Sequence, residues 1–408
     1  MSDHDPEAAR IARARLPDGL RPETLAVRTA MAPSQHGENS EALFLSTAFI
    51  QPDSETSARR FANNEDFTYG RTSNPTTRSF EARLAAMEGA EAAIATSTGM
   101  SAILLLVMGL LKAGDHVVCS RSVFGSTIGL LGKEFAKFGV ETTFVSQTDL
   151  AEWRAALKPT TKLLFAETPT NPLTEVCDIQ ALADIAHDAG ALLVVDNCLC
   201  SPALQQPVKF GADIVMHSGT KFLDGQGRVV AGALCAAQEM VDARFVPVMR
   251  SCGMSLSPFN AWVVAKGLET LSVRVHTQSD RALAVAQWLE THPAVARVYH
   301  PGLKSHPQHE LAMKQQNGRG GAVLSFDVKG GREQAFAVID ATQVCSIAAN
   351  FGDTRSIITH PASTSHGRLT EAQRQAAGIG QGMIRLGVGL DDVEDIKADL
   401  ARGLNALL

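Results

Sequence analysis

The chain has 408 residues, of which 45% are hydrophobic and 20% charged, and its formal net charge is −6 at pH 7. This length predicts two or three globular domains; no apolar run is long enough for a membrane helix, and no basic tract suggests nucleic acid as a partner. The seven scattered cysteines and the polar, acidic start of the chain indicate a reducing, cytoplasmic location rather than a secreted one.

Residues 1–75 are predicted to form an N-terminal arm and inter-subunit segment. The first part, up to about residue 40, includes a possible short helix over Pro6–Arg15 with a locally positive face. Such a charged face is usually solvated, so no function is assigned to it. Ala42–Ile50 is expected to be extended.

A polar loop rich in Gly, Asn and Pro covers Phe67–Thr77. It carries the phenol of Tyr69 and the guanidinium of Arg71, two groups that suit phosphate binding. Considered alone, the loop is equally compatible with a plain surface connection.

Strands and helices alternate through residues 76–265, which are predicted to form one domain. The predicted strands are Ala92–Thr96, Asp115–Ser120, Glu141–Val145, Lys162–Glu167, Leu192–Asp196 and Ala212–Met216. The predicted helices are Ser79–Glu88, Ser101–Leu111, Thr127–Phe138, Leu150–Ala156 and Ile179–Ala189. Apolar, β-branched strands alternating with helices indicate an α/β fold with a mostly parallel, doubly wound sheet.

The pattern changes after residue 265. A long helical stretch covers Trp262–Leu289 and is followed by mixed helices and strands. The later predicted elements are the strands Val295–Tyr299, Gly321–Val328, Ser356–Thr359 and Met383–Val388 and a helix over Glu333–Ile339. We therefore expect a smaller α+β domain over residues 266–408.

Residues with useful chemistry follow several of the predicted strands, at the edge where parallel sheets bind ligands. Lys221 comes after one strand end, with the hydroxyls of Ser218 and Thr220 just before it. Hydroxyls and free N–H groups bind phosphate, and an amine beside them suggests pyridoxal 5'-phosphate (PLP), whose aldehyde forms a Schiff base with lysine. Alone, these residues would equally fit a surface lysine after a strand.

Other strand ends supply what the same cofactor needs. Thr98–Met100 opens an apolar helix whose N-terminal N–H groups would complete a phosphate cradle. Asp196 ends an apolar strand and would pair with the pyridine nitrogen, and Phe124 would stack on the ring. A helix cap, a turn aspartate and core packing are the structural alternatives, but recurrence at one sheet edge favours the cofactor.

Six motifs are distributed from residue 69 to residue 391. They are Tyr-Gly-Arg-x-x-Asn-Pro-Thr at 69–76, Glu-Thr-Pro-Thr-Asn-Pro at 167–172, Val-Asp-Asn at 195–197, Ser-Gly-Thr-Lys at 218–221, Ile-Thr-His-Pro-Ala-Ser-Thr-Ser-His at 358–366 and Ile-Arg-Leu-Gly-Val-Gly-Leu-Asp at 384–391. With these motifs the chain resembles the cysteine/methionine-metabolism branch of fold-type I PLP enzymes. The resemblance extends from about residue 20 to the C-terminus, and it implies an aspartate-aminotransferase-like fold.

The resemblance also implies roles for individual residues. Lys221 would be the Schiff-base anchor and the proton shuttle, and Asp196 would pair with the ring nitrogen. Asn171 would lie near the ring hydroxyl, and Arg385 would bind the substrate α-carboxylate, a bidentate task suited to guanidinium.

The implied phosphate site draws on two subunits. Gly99, Met100, Ser218 and Thr220 would hold the phosphate within the subunit. Tyr69 and Arg71 would reach across an interface to the neighbouring cofactor. The protein is therefore expected to be at least a dimer, and members of this family are usually tetramers.

Within the family, residues 20–28 and 217–227 are most similar to enzymes that act on O-succinylhomoserine and sulfide. The implied reaction is γ-replacement, which yields homocysteine and succinate for methionine biosynthesis. An acetyl donor, cysteine as nucleophile (the cystathionine γ-synthase reaction) and γ-elimination stay open.

Three positions depart from the family pattern. The ring-stacking residue, commonly tyrosine, is Phe124, which has no proton to give. Either the substrate amine arrives deprotonated, or Tyr69 or Lys221 takes its proton. Thr98 and Gly387 replace serines that affect fine positioning.

Three other functions compete with this interpretation. A PLP carrier without turnover would not need Arg385 as a carboxylate clamp. A thiol-dependent enzyme could use Cys198 or Cys200, although small buried cysteines are common in cores. His306 and His309 lack a third clustered ligand, so we expect a solvated loop and no metal.

Overall fold

The structure is a computed structural model that describes residues 16–30, 33–34, 36–63, 65–367 and 370–408. The helix predicted over Pro6–Arg15 lies outside these residues.

Strands and helices are numbered here in chain order. The strands are β1 Ala92–Thr96, β2 His116–Ser120, β3 Glu141–Val145, β4 Thr161–Glu167, β5 Leu192–Asp196, β6 Ile214–Ser218, β7 Gly232–Ala236, β8 Val295–Tyr299, β9 Val323–Val328, β10 Ser346–Ile347, β11 Ile357–Thr359 and β12 Met383–Gly387. The helices are α1 Pro22–Arg28, α2 Ser54–Asn63, α3 Pro75–Glu88, α4 Gly99–Leu110, α5 Gly125–Gly129, α6 Leu150–Ala155, α7 Ile179–Asp188, α8 Ser201–Leu204, α9 Gln238–Met240, α10 Val246–Cys252, α11 Pro258–Leu268, α12 Leu271–Thr291, α13 His309–Gln315, α14 Arg332–Asp340, α15 Glu371–Ala376 and α16 Val393–Asn405.

The larger sheet has seven strands in the order β1-β7-β6-β5-β4-β2-β3. The strand β7 runs antiparallel to both of its neighbours, whereas the pairs from β6 through β3 are parallel. Helix α4 packs on one face through residues such as Ile103 and Leu106, and α3 and α7 contribute to cores on the other. The strands β1, β5 and β7 are almost wholly buried and mostly apolar, whereas the edge strand β3 is half-exposed and begins with Glu141, Thr142 and Thr143. The predicted α/β fold with a mostly parallel sheet is confirmed.

The smaller sheet has five strands in the order β10-β11-β12-β9-β8 and is mostly antiparallel. Its core includes apolar residues of α12, α14 and α16. In the sequence, α11 and α12 follow the last strand of the larger sheet and precede the first strand of the smaller sheet. The predicted domain boundary near residue 265 lies in α11. That boundary stays a prediction.

The long helical stretch predicted over Trp262–Leu289 consists of two helices, α11 and α12, separated by Glu269 and Thr270. At the break, the carbonyl of Gly267 accepts a hydrogen bond from Arg274 Nη2 at 2.7 Å. Arg274 Nη1 donates to the carbonyl of Phe222 at 3.0 Å, so the broken helix supports the residue that follows Lys221.

Ala42–Ile50 belongs to no sheet, although Ala48 forms an isolated antiparallel bridge with Tyr69. The segment is bound to the start of α3, because Phe44 N–H donates to Thr76 Oγ1 at 2.9 Å. One helix boundary needs correction. Helix α3 begins at Pro75 rather than at Ser79, since the Asn74 side chain accepts the N–H of Thr76 at 2.8 Å and caps the helix.

Candidate active site

The C-terminal ends of β1, β2, β4, β5 and β6 lie at one edge of the larger sheet and carry most of the residues predicted from the sequence. Lys221 follows β6, and its amine donates a hydrogen bond to Asn350 Oδ1. The Nζ atom lies 4.7 Å from the centre of the Phe351 ring. Burial lowers the pKa of Lys221, and the nearby Arg385 guanidinium lowers it further.

Arg385 lies in β12 of the smaller sheet and is only 2% exposed. Its Nη1 donates to Asn171 Oδ1 at 3.1 Å, and its Nη2 donates to the main-chain oxygen of Asn350 at 2.9 Å. The Nε atom is buried without a hydrogen-bond partner among the described residues. Burial lowers the pKa of Arg385 to about 10, and an unpaired buried donor of this kind suits a carboxylate ligand.

Asn350 and Phe351 were not predicted as site residues. They belong to the loop between β10 and β11, which packs directly on the lysine segment. A Cβ atom on Gly352 (φ +82°) would lie 2.7 Å from the backbone nitrogen of Phe222, so only glycine allows this close approach. In the sequence, only Gly352 could have indicated such a close approach. A glycine alone, however, does not indicate which other segment of the chain it contacts.

Asp196 ends β5 and is 6% exposed. Its Oδ1 accepts the N–H of Cys198 at 3.0 Å. Burial raises the pKa of Asp196, while the hydrogen bonds from Cys198 and the positive charge of Lys221 oppose that shift. A cation at the ring nitrogen of a bound cofactor would therefore find a carboxylate that lacks full solvation.

Cys198 lies between Asp196 and Ser218, where its Sγ accepts the Ser218 N–H at 2.8 Å. Burial raises the pKa of the Cys198 thiol well above its ordinary value, and burial also raises that of Cys200. Because the thiolate is the nucleophilic form, both shifts argue against the thiol-dependent alternative.

The N-terminus of α4 packs tightly against the end of β6. A Cβ atom on Gly99 would lie 3.0 Å from Ser218 Cβ and 3.2 Å from Ser218 Oγ. The Ser218 hydroxyl makes no hydrogen bond within the described part of the chain. Together with the uncapped N–H groups of Gly99 and Met100, it forms a concave site that fits a phosphate.

The two threonines predicted for the cradle have structural tasks. Thr98 caps α4 by accepting the Ser101 N–H at 2.9 Å. The Thr220 hydroxyl donates to the Ala231 carbonyl at 3.3 Å and accepts the Ala231 N–H at 3.2 Å. Both residues border the cradle, but their hydroxyls are already engaged.

Phe124 follows β2 and directly precedes α5. Its side chain is 41% exposed, which leaves the ring free to contact a ligand. Its main-chain N–H donates to Glu167 Oε2 at 2.7 Å.

Tyr69 and Arg71 are not brought to Lys221 within one chain. The Arg71 guanidinium donates to the main-chain oxygen of Arg250 and lies 5.4 Å from the Tyr69 ring centre. Within the described part of the chain, neither side chain makes a hydrogen bond or an ion pair with Lys221, Asp196 or Ser218. Arg71 instead lines an open groove of about 1020 Å³ between residues 70–78 and 238–256.

The buried polar pair His217 and Glu88 was also not predicted from the sequence. His217 Nε2 and Glu88 Oε1 are 2.6 Å apart, and both side chains are fully buried. Asn197 Nδ2 donates to the same Glu88 oxygen at 2.9 Å. This network ties the ends of β5 and β6, which carry Asp196 and the lysine segment, to α3.

A mostly parallel sheet whose edge presents a half-buried lysine, a buried aspartate and a helix N-terminus over a serine defines the class of fold-type I PLP-dependent enzymes. Comparison with known families agrees with this class. The chain belongs to the family described as Cys/Met metabolism PLP-dependent enzymes, whose model matches residues 23–405.

Similar proteins share nearly the whole chain. An O-succinylhomoserine sulfhydrylase from Pseudomonas aeruginosa is 55% identical over 391 residues, which cover 96% of each chain. One from Mycobacterium tuberculosis is 42% identical over 397 residues, covering 96% of this chain and 97% of that protein. A putative O-acetylhomoserine (thiol)-lyase from Campylobacter jejuni, solved with N'-pyridoxyl-lysine-5'-monophosphate, superposes with a TM-score of 0.90 at 32% identity and covers 95% of this chain and 100% of that one.

Among the described residues, no helix is long and apolar enough to cross a membrane, and no group of three or more metal-binding side chains is found. All seven cysteines are unpaired thiols.

Proposed function

We propose that this chain catalyses the replacement of succinate in O-succinylhomoserine by sulfide, which yields homocysteine and succinate. The structural observation that carries this proposal is the placement of Lys221 and Arg385 on the same ring, Phe351. A proton-accepting amine beside a carboxylate clamp matches an amino-acid substrate. The 55% identity to the Pseudomonas aeruginosa protein, named for this reaction, supports the choice of substrates.

Binding is assigned to groups that the structure leaves available. Arg385 would hold the substrate α-carboxylate through its unpaired Nε, with Asn171 and Asn350 fixing the other two guanidinium nitrogens. The cradle formed by Gly99, Met100 and Ser218 would hold the cofactor phosphate. Asp196 would keep the proton on the pyridine nitrogen.

PLP, when bound, withdraws electrons from the carbon skeleton of the substrate. Lys221 would remove the proton from Cα and then the proton from Cβ. The lowered pKa of its amine favours the neutral form that can accept a proton. The ester then leaves as succinate, hydrosulfide adds at Cγ, and Lys221 returns the protons.

Phe124 cannot accept the proton of the substrate amine. Lys221 and Tyr69 are the two residues that could accept this proton. Lys221 lies on the same ring as Arg385 within one chain, whereas Tyr69 would have to come from a second subunit.

We further propose a homo-oligomer of at least a dimer, and a tetramer as in related enzymes, with a cytoplasmic location that the unpaired thiols support. Tyr69 and Arg71 of one copy would complete the phosphate site of another. Mixing Lys221→Ala with Arg71→Ala subunits should then restore part of the lost activity, because a hybrid contains one intact site. Mixtures that never exceed the activities of the separate variants would contradict shared sites.

The product distribution tests the reaction itself. The purified protein receives O-succinylhomoserine with sulfide and cysteine in competition, and the products are identified by mass spectrometry. Homocysteine with equimolar succinate is the expected result. Cystathionine would assign the synthase reaction, and 2-oxobutyrate alone would indicate elimination. A parallel assay with O-acetylhomoserine tests the donor, and a preference for that ester would change it.

A further inference from the structure

Glu167 is a buried carboxyl group that the proposed reaction does not use. It ends β4 and pairs in register with Asp196, the last residue of the neighbouring parallel strand β5. Glu167 is 3% exposed, and it forms no ion pair with any of the described residues. Two carboxyl groups therefore lie side by side beneath the predicted cofactor ring.

Hydrogen bonds join this carboxyl group to the surroundings of the ring. Glu167 Oε2 accepts the main-chain N–H of Phe124 at 2.7 Å. Gln147 Nε2 donates to the main-chain oxygen of Glu167 at 2.8 Å and fixes its backbone. The Glu167 side chain, at the end of β4, thus binds the segment that follows β2 and lies beside Asp196 at the end of β5.

The two carboxyl groups are not equivalent. Burial and the negative charge of Asp196 raise the pKa of Glu167 well above its ordinary value, although the hydrogen bond from the Phe124 N–H opposes that shift. Lys221 and the hydrogen bonds from Cys198 favour the ionised form of Asp196. A buried pair of like charges is costly, so a single negative charge on Asp196 is the favoured state.

We propose that Glu167 is a positioning residue that acts as a neutral acid: it holds the Phe124 backbone over the cofactor ring and leaves the one negative charge on Asp196. This inference rests on the proposed function only for the presence of PLP, not for the choice of substrate. Glu167 touches the backbone that carries the stacking residue and acts on the ring through it.

The comparison of two substitutions separates this role from others. Glu167→Gln keeps the shape and an oxygen that accepts the Phe124 N–H, without a charge. It should bind PLP within about three-fold of the unmodified protein and keep the visible circular dichroism of the cofactor band. Glu167→Ala removes the acceptor and should weaken PLP binding about ten-fold or more and reduce that band, because the loss of one such buried hydrogen bond is worth about that factor.

Glu175 provides a matched control. Its Oε2 accepts the Ser122 hydroxyl at 3.1 Å, so it binds the same segment as Glu167 but is not paired with Asp196. Glu175→Ala should leave both PLP affinity and the circular dichroism band unchanged.

A double-mutant cycle tests whether Glu167 acts through Phe124. In a Phe124→Ala background, Glu167→Ala should change PLP affinity by less than about three-fold, because the ring it would hold is absent. Equal losses for Glu167→Gln and Glu167→Ala, or independent effects of the Glu167 and Phe124 changes, would overturn the proposal. These measurements use apoprotein and PLP alone, so a wrong substrate assignment would leave them unaffected.

Discussion

Lys221 and Arg385 lie against the same aromatic ring, that of Phe351, although they come from different sheets. The Lys221 amine nitrogen is 4.7 Å and the Arg385 guanidinium carbon 5.2 Å from the ring centre. The proximity of the second cation makes the ammonium form of Lys221 less favourable. The group proposed to bind the substrate carboxylate would thus also help to keep the Lys221 amine ready to accept a proton.

The first prediction concerns the carboxylate clamp. Arg385→Lys keeps the charge but loses the planar fork, so the KM for O-succinylhomoserine should rise about 100-fold. The visible absorbance of bound PLP should stay, since Arg385 contacts none of the cradle residues. Arg319→Lys, a half-exposed position whose side chain is paired with Asp280, serves as the control and should behave like the unmodified protein. An unchanged KM in Arg385→Lys would show that the substrate carboxylate binds elsewhere.

The second prediction concerns the residue that holds the free amine. Asn350→Ala removes the oxygen that accepts the Lys221 hydrogen bond, and kcat should fall about ten-fold with PLP affinity retained. Asn350→Asp places a carboxylate there instead and should raise the pKa of Lys221. The acid limb of the kcat profile would then move to higher pH, because the amine must lose its proton to act as a base.

Asn405→Ala is the matched control for this experiment. Asn405 is the last residue of α16, and its Oδ1 lies 3.2 Å from Nε2 of His292, which follows α12, so its partner is not in the lysine segment. The kcat and pH profile of this variant should not change. A normal kcat in Asn350→Ala would mean that the contact with Lys221 has no part in turnover.

The third prediction concerns stability and pH. Burial raises the pKa of Glu81 to about 7, while its Oε1 accepts the Ala95 N–H at 2.8 Å. The folded protein therefore holds this proton more tightly than the unfolded chain, and stability falls as pH rises from about 4.5 to about 7. Glu81→Gln removes the titration and keeps the acceptor.

The Glu81→Gln protein should unfold at the same temperature as the unmodified protein near pH 4.5. At pH 8 it should be more stable by about 1–3 kcal/mol, measured by thermal unfolding monitored with circular dichroism. If the variant were instead less stable at pH 8, the carboxylate would be the form that the fold stabilises.

Local patterns were enough to predict six of the seven strands of the larger sheet and the edge that carries Asp196 and Lys221, whereas the antiparallel strand β7 was not predicted. The bounds of β1, β3, β5 and β8 agree with the predictions because apolar, β-branched runs between turns are strong strand signals. The alternation with helices then places the strand ends at one edge, which brings Asp196 and the lysine segment together.

Contacts between distant segments could not be predicted in this way. Asn350 meets Lys221 across 129 positions of sequence, and no local pattern encodes that pairing. In the sequence, Glu167 is only the last residue of a predicted strand and the first residue of a motif. Its importance depends on its register with Asp196, which no local pattern shows. The capping role of Thr98 depends on where α4 begins, and boundaries are the least reliable part of a sequence interpretation.

The most direct test of the account is to locate the cofactor on the chain. Purified protein is reduced with sodium borohydride in the presence of PLP, digested, and mapped by mass spectrometry, with Lys221→Ala treated in parallel. Lys221 should carry a phosphopyridoxyl group, and the reduced protein should be inactive. The Lys221→Ala variant should show neither the label nor the visible absorbance at this site. A label on another lysine, with Lys221 unmodified and its variant still active, would contradict the account.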